Sequence, residues 1–108
     1  MITPARDLSE AEFQSQVIAL AQLRGWLVHA ERPAQRQSGH WSTPIQGNAG
    51  FPDLVLARGG RLIFAELKSA KGRMRPEQQA WLDALRPGAL RVFLWRPADW
   101  DEIVRALA

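Results

Sequence analysis

Residues 51–68 read FPDLVLARGGRLIFAELK and decide the fold. Two runs rich in Val, Leu, Ile and Phe flank the pair Gly59-Gly60, a combination typical of a β-hairpin with a two-residue turn. When residues are paired outward from that turn, Asp53 lies directly opposite Glu66. The segment therefore predicts an antiparallel hairpin with two carboxylates facing each other at its open end.

The charged residues at this open end suit a divalent metal and a phosphodiester. Side chains alternate faces along a strand, so Lys68 lies on the same side as Glu66. The carboxylates of Asp53 and Glu66 are ligands of the kind that Mg²⁺ prefers, and a bound metal can polarise a phosphoryl oxygen and acidify a water. Lys68 adds a positive charge that can orient the attacking water or stabilise developing negative charge. The alternative is a solvated cross-strand salt bridge, which contributes about 0.2–1 kcal/mol.

Composition limits the classes of function. The chain has 108 residues, which fits one domain over 1–108. It has no cysteine and two histidines, which excludes disulfides, thiolate sites and a zinc cage built from histidine alone. The net charge of +3 permits a nucleic-acid partner. No apolar run approaches the ~20 residues that span a bilayer, and the N-terminus lacks a signal-peptide pattern, so we expect a cytoplasmic protein without a membrane partner.

The rest of the chain alternates helices and strands. Apolar periodicity and turn signals predict a helix from Ser9 to Gly25, a strand at 26–30, a helix from Pro76 to Pro87, a strand at 90–95 and a helix from Pro97 to Leu107. The hairpin is antiparallel, whereas a helix crossover favours a parallel neighbour, so we expect an α/β fold with a mixed sheet flanked by helices. No glycine-rich dinucleotide fingerprint and no Walker lysine is present, so we expect no nucleotide cofactor.

Two segments outside the hairpin carry candidate contacts to nucleic acid. Lys71, Arg73 and Arg75 follow the second hairpin strand, where cationic side chains can grip phosphates beside the scissile one. The alternative for each is an ordinary solvated residue. The polar stretch 32–50 is of a length that is usually functional or disordered, and within it Trp41 can stack on an unpaired base or pack against a second protomer.

The motifs together resemble a known family. Gly-x-Pro-Asp at 50–53, Glu-x-Lys at 66–68 and Pro-x-Gln at 76–78 occur in the order and at the spacing of the VRR-NUC family. This family comprises small phage-type and repair-type nucleases of the PD-(D/E)XK, or restriction-endonuclease-like, superfamily. The resemblance covers roughly residues 9–96 and implies a restriction-endonuclease-like fold and metal-dependent cleavage of DNA.

The resemblance also implies roles for individual residues. It makes Asp53 and Glu66 ligands of Mg²⁺ or Mn²⁺, together with the main-chain carbonyl of Leu67. Lys68 matches the catalytic lysine. Gln78 matches the active-site glutamine, and the alternative for this residue is a glutamine packed at the edge of the core.

Glu12 has two readings. It matches the glutamate of the N-terminal helix that faces the metal in such nucleases, directly or through water, which makes it a candidate catalytic residue and metal ligand. It is equally well explained as the capping-box partner of Ser9. One carboxylate oxygen can serve each role, so both readings stay open.

Three functions of different classes are consistent with these residues. The first is a Mg²⁺- or Mn²⁺-dependent DNA endonuclease, selective for branched or Holliday-junction-like DNA and acting as a homodimer with two sites on two strands. The second is a catalytically weak DNA-binding subunit of a phage or repair complex, which the carboxylate pair argues against because it repels phosphate. The third is a structural adaptor, which should show no metal-dependent thermal shift.

Overall fold

The computed structural model describes residues 7–31, 45–88 and 91–108, together with the backbone of 34–35 and 41–42. In chain order these residues form α1 (Glu10–Leu23), β1 (Leu27–Ala30), β2 (Ala34–Gln35), β3 (Trp41–Ser42), β4 (Leu54–Arg58), β5 (Arg61–Leu67), α2 (Pro76–Leu85), β6 (Arg91–Trp95) and α3 (Trp100–Ala106). Short 3₁₀ turns follow α2 and precede α3. No helix in these parts of the chain is long and apolar enough to cross a bilayer.

Four strands form one mixed sheet in the order β1-β4-β5-β6. The first two neighbouring pairs are antiparallel, and β5 and β6 are parallel. Leu54 pairs with Ala65 in the hairpin, which is the register that the Gly-Gly turn predicts. One residue beyond this pair on the two strands, Asp53 lies across from Glu66. The predicted mixed sheet and its hairpin register are thus confirmed.

The hairpin turn depends on its two glycines. Gly59 has φ 55° and Gly60 has φ 81°. Both values lie in the left-handed region, and two successive positive φ angles characterise the type I′ turn, whose twist matches that of the flanking strands. The turn therefore fixes the pairing that extends to the open end.

Helix α1 begins with the predicted capping box. The Ser9 hydroxyl accepts from the backbone N–H of Glu12, and the Glu12 carboxylate accepts from the backbone N–H of Ser9, both at 3.1 Å. The apolar face of the helix is buried, comprising Phe13, Val17, Leu20 and Ala21. These residues pack on the sheet, so the first predicted helix is confirmed in both its start and its buried face.

The main core lies on one face of the sheet. Ile63, Ala65 and Leu67 of β5 are fully buried there, in one cluster with residues of α1, β4, β6 and α3. Because side chains alternate along a strand, Phe64 and Glu66 point to the opposite face. The ring of Phe51 lies 6.0 Å from that of Phe64 and bridges this face to α2. Glu66 therefore lies in a second, smaller layer between the sheet and α2.

The polar stretch 32–50 contains more regular structure than its sequence predicts. Strands β2 and β3 pair with each other as a short antiparallel ribbon. Their pairing was missed because each strand has only two residues, fewer than alternation of apolar residues can reveal. The side chain of Trp41 lies outside the described residues, so its predicted contact with DNA stays a prediction.

The turn end of the hairpin is anchored to the C-terminal segment. Arg58 donates to the main-chain carbonyls of Arg24 and Ala108 at 2.8 and 2.7 Å. Its guanidinium also lies 4.7 Å above the ring of Trp26, whose indole N–H donates to the carbonyl of Leu107 at 3.1 Å. These contacts satisfy carbonyls that follow α1 (Arg24) and α3 (Leu107 and Ala108) and that the helices leave without an internal partner.

Candidate active site

Glu66 is the most deeply buried charged residue of the site. Its side chain is 1% exposed and its Oε2 accepts from the Gln78 amide at 3.2 Å. Its Oε1 is buried without a hydrogen-bond partner among the described residues. Burial first, then a hydrogen bond with the neighbouring Asp53 carboxyl, raises the pKa of Glu66 to about 9. Such a carboxylate is stabilised either by a proton or by a bound cation.

Asp53 reaches Glu66 from the start of β4. Its Oδ2 accepts from the backbone N–H of Leu67 at 2.9 Å, which fixes the carboxylate at the end of β5. Two ionised carboxylates offer each other no proton, so Asp53 and Glu66 can share a hydrogen bond only when one of them is protonated. The structure thus brings the two candidate metal ligands together, as the hairpin register predicts.

Lys68 lies beside this carboxylate pair. Its backbone N–H donates to the carbonyl of Trp95 at 3.0 Å and extends the pairing of β5 with β6. Its side chain is 8% exposed, and Nζ lies 3.7 Å from Glu66 Oε2 and 3.8 Å from Glu10 Oε1. The ammonium group is therefore held among carboxylates within reach of a phosphate that enters the site.

Gln78 serves both the helix and the site. At the third position of α2 its Oε1 accepts from the backbone N–H of Arg75 at 3.0 Å, while its Nε2 donates to Glu66. This is the half of a capping box in which the N3 side chain accepts from the N–H of the N-cap residue. Both ends of the amide are engaged, and the Glu66 carboxylate is thereby held in one orientation.

The structure places Glu10, and not Glu12, at the site. The Glu12 carboxylate is exposed and bound to Ser9, and this hydrogen bond lowers its pKa. The Glu10 carboxylate lies near Lys68, and partial burial, with Asp53 adding to it, raises its pKa. Residues two apart on a helix differ by about 200° in direction, so only one of the two can face the sheet. Of the two readings of Glu12, the structure shows the capping box, and a role for this residue at a metal stays a prediction.

A helical period would have identified Glu10. It shares a face with the buried residues Phe13, Gln14 and Val17, which follow it by three, four and seven positions. The capping motif drew attention to Glu12 instead, although capping directs that carboxylate back along the chain and away from the sheet.

The basic segment, residues 69–75, is held in place by Arg96, for which no sequence pattern gave an indication. Arg96, next to the end of β6, donates to the carbonyls of Ser69 and Gly72 at 2.7 and 2.8 Å. A Cβ on Gly72 would lie 3.0 Å from Ser69 Oγ and 3.5 Å from Cδ of Lys68. The loop therefore folds closely against the stem of the lysine. Arg96 had no sequence signal, because its partners are backbone carbonyls some 24–27 residues away.

The predicted phosphate contacts differ in their surroundings. Lys71 and Arg73 are exposed. Arg75 is also exposed, but its Nε lies 3.0 Å from Oε1 of Glu77. Lys71 and Arg73 are therefore better placed than Arg75 to meet a phosphate, and a DNA-binding role for any of the three stays a prediction.

The donor set fits a divalent metal ion. The described residues contain no group of three carboxylate or histidine side chains gathered for a metal. Magnesium, however, is usually held by one or two carboxylates and keeps water or substrate phosphate in its other positions. Asp53 and Glu66 provide two carboxylates, and the resemblance adds the carbonyl of Leu67. The buried Oε1 of Glu66, which has no partner in the described parts of the chain, is the oxygen that such an ion would satisfy.

A groove of about 1110 Å³ opens beside Asp53 and Gln78, between the 45–51 segment and α2. The segment is held against the helix at Gly50, which has φ 97° and where a Cβ would come within 2.6 Å of the Glu77 backbone. Any other residue would push the segment off the helix. The Gly-x-Pro-Asp motif thus forms the groove wall and delivers Asp53 to the site.

Comparison with known proteins agrees with this geometry. The VRR-NUC domain family model matches residues 15–98. A solved structure described as a VRR-NUC domain has a TM-score of 0.65 and 21% identity, covering 89% of this chain and 94% of that one. A second, described as a VRR-NUC domain protein, has a TM-score of 0.64 and 19% identity, covering 94% and 86%. No curated protein matches the chain.

These likenesses bear on fold and on family separately. At such low identity the solved structures establish a shared fold, which confirms the predicted restriction-endonuclease-like α/β architecture. The family match spans most of the chain and contains the carboxylate pair, the lysine and the glutamine of the site, which identifies a nuclease-type domain. The chain therefore belongs to the VRR-NUC domain family.

Proposed function

We propose that this protein is a Mg²⁺- or Mn²⁺-dependent DNA endonuclease. The observation that carries the proposal is the pair of Asp53 with the buried Glu66, which has an oxygen without a partner among the described residues and a strongly raised pKa. A surface that only binds DNA needs cations and gains nothing from carboxylates that repel phosphate. A metal-binding hydrolytic site accounts for the pair.

The residues of the site divide the work of hydrolysis. A divalent metal held by Asp53 and Glu66 supplies Lewis-acid chemistry and lowers the pKa of a water molecule. Gln78 holds the Glu66 carboxylate in place for that ligand role. The Lys68 ammonium stabilises negative charge on the phosphoryl oxygens as a water oxygen adds to phosphorus and the bond to the leaving sugar oxygen breaks.

The first test is cleavage of matched DNA substrates with Mg²⁺, Mn²⁺ or EDTA. Wild type should cut only with metal, and Glu66→Ala should remove the activity. Glu102→Ala, which changes an exposed glutamate of α3, is the matched control and should cut like wild type. No cutting by wild type with either metal, alongside salt-sensitive binding, would favour a DNA-binding accessory subunit instead.

The proposal extends to substrate and assembly. The described residues of the chain form one such site, whereas resolving a branched DNA requires cuts in two strands. A two-fold homodimer would present two sites to a branched or Holliday-junction-like DNA. Faster cutting of four-way junctions than of linear duplex, together with a dimer mass by light scattering, is expected. Equal rates on both substrates from a monomer would contradict this part of the proposal.

A further inference from the structure

The groove beside the site has walls of a different character from the catalytic centre. It begins at Asp53 and Gln78 and runs past Trp81 and Ile45. Its volume of about 1110 Å³ exceeds what a few waters need. A strand whose phosphate lies at Asp53 would thus place a neighbouring nucleotide at the mouth of this groove.

The charges of the groove disfavour phosphate. Three carboxylates line it, from Glu31, Asp53 and Glu77, against one guanidinium, from Arg75. That guanidinium is already paired with Glu77 at 3.0 Å. Like charges repel, so the described walls suit an uncharged group. The exposed cations Lys71 and Arg73 remain available to bind the phosphates of the DNA backbone.

Trp81 provides a fixed aromatic surface in the groove. Its indole N–H donates to the carbonyls of Ala49 and Asn48 at 3.0 and 3.3 Å. The ring of Phe51 packs edge-on against it at 5.0 Å. The partly exposed indole therefore keeps one orientation before any ligand binds, which reduces the ordering cost of stacking. Ile45, half exposed, adds an apolar contact at the rim.

We propose that this groove binds an unpaired nucleobase of the strand to be cut, next to the scissile phosphate. The inference rests on the proposed nuclease function, because the base reaches the groove through the phosphate at Asp53. A base has an uncharged aromatic face for Trp81 and at least one N–H group, the ring N3–H in thymine, that can donate to the groove carboxylates. A base inside a duplex is unavailable, so the groove selects DNA whose strands are unpaired or easily separated.

The test compares two single strands of equal length and equal charge. One is a twelve-residue thymidine oligonucleotide, and the other has the same backbone without bases. Binding is measured by fluorescence anisotropy in EDTA, where no cleavage occurs. Wild type should prefer the strand with bases by about 10-fold. Trp81→Leu should reduce the preference to within about 2-fold, whereas Trp81→Phe, which keeps a ring, should retain most of it.

Further variants separate stacking from folding. Ile45→Ser leaves the Trp81 hydrogen bonds intact and should lower the preference for bases. Leu27→Ser, at an exposed leucine of β1 outside the groove, is the matched control and should not change it. If Trp81→Leu fails to fold in a thermal melt, Ile45→Ser and Trp81→Phe decide the question. Equal affinity of wild type for both strands overturns the inference, as does a preference that survives in both Trp81→Leu and Ile45→Ser.

Cleavage distinguishes failure of the groove from failure of the proposed function. Wild type that cuts with metal but does not distinguish bases from abasic residues keeps the nuclease function and loses the groove. Wild type that never cuts but shows a Trp81-dependent preference keeps the groove and loses the nuclease function. If both hold, an abasic residue beside the cleaved bond should slow wild type about 10-fold and barely affect Trp81→Leu.

Discussion

The two ends of the β4–β5 hairpin use charge in opposite ways. At the turn end, Arg58 donates to the carbonyls of Arg24 and Ala108 and lies over an indole ring. At the open end, Glu66 is buried beside Asp53, one of its oxygens has no partner among the residues that the structure describes, and its pKa is raised to about 9. One set of contacts stabilises the fold, whereas the other destabilises it in the absence of a cation. Such local destabilisation is characteristic of functional sites.

The largest expected effect separates activity from stability at the open end. Glu66→Gln keeps the shape of the side chain and its bond from Gln78 but removes the buried charge. Cleavage should fall by more than about 100-fold, since loss of even the outer partners of metal ligands costs 10–100-fold. In EDTA the unfolding temperature should rise, by about 4–8 °C for each kcal/mol that burying the Glu66 carboxyl costs the wild type.

The rise in unfolding temperature expected for Glu66→Gln should depend on pH, because the pKa of Glu66 is raised in the folded state from its ordinary 4.5 to about 9. Wild type then loses stability as the pH rises between these values, because the folded state resists a deprotonation that the unfolded chain undergoes freely. The advantage of Glu66→Gln should therefore grow from pH 5 to pH 8 in thermal melts. Glu102→Gln should show no such trend, and a constant difference would contradict the proposed cause.

A mutation at the turn end of the hairpin should lower stability and leave the rate of cleavage unchanged. Arg58→Ala removes charged donors from two backbone carbonyls and should lower the free energy of unfolding by about 1.5–3 kcal/mol. The rate of cleavage below the melting temperature should stay that of wild type, because the change lies at the opposite end of the hairpin. Urea unfolding and a cleavage assay of the same preparation check both halves. A large loss of rate without loss of stability would break the comparison.

A smaller effect on the rate of cleavage is expected from changing Arg96, which follows β6 and holds the loop beside Lys68. Arg96→Ala frees the carbonyls of Ser69 and Gly72 and loosens the loop against Lys68, so kcat should fall by about 10–100-fold, as for other positioning residues. Arg96→Lys should recover part of the rate. The salt dependence of DNA binding should stay unchanged, because these donors face backbone carbonyls.

Lys71→Ala is the matched contrast to Arg96→Ala. It should leave kcat near wild type but reduce the slope of log affinity against log salt on duplex DNA by about 0.9. A reduced slope for Arg96→Ala, with kcat unchanged, would make Arg96 a phosphate contact and not a positioning residue.

How far the sequence predicts the molecule depends on the range of each interaction. Asp53 and Glu66 were placed opposite each other because a two-residue turn fixes the register and strands alternate every two residues. The ribbon of β2 and β3 could not be predicted, because strands of two residues carry no periodic signal. The role of Arg96 could not be predicted, because its partners are carbonyls of an irregular loop and no local sequence pattern specifies the path of that loop. Short-range rules thus predicted the hairpin half of the site, and the motif at 76–78 indicated Gln78, whereas Arg96 and the ribbon of β2 and β3 were not predicted.

At the start of α1 two local rules point to different glutamates. The capping motif singled out Glu12, whereas the helical period places Glu10 on the face that meets the sheet, 3.8 Å from Lys68. Glu10→Gln should slow cleavage by about 10-fold, the lower range for groups that support metal-site chemistry, and leave helix stability nearly unchanged. Glu12→Gln keeps a residue able to cap and should be silent in rate. Comparing the two variants in one assay decides between the rules: a loss confined to Glu12→Gln would restore the capping residue to the site and remove Glu10 from it.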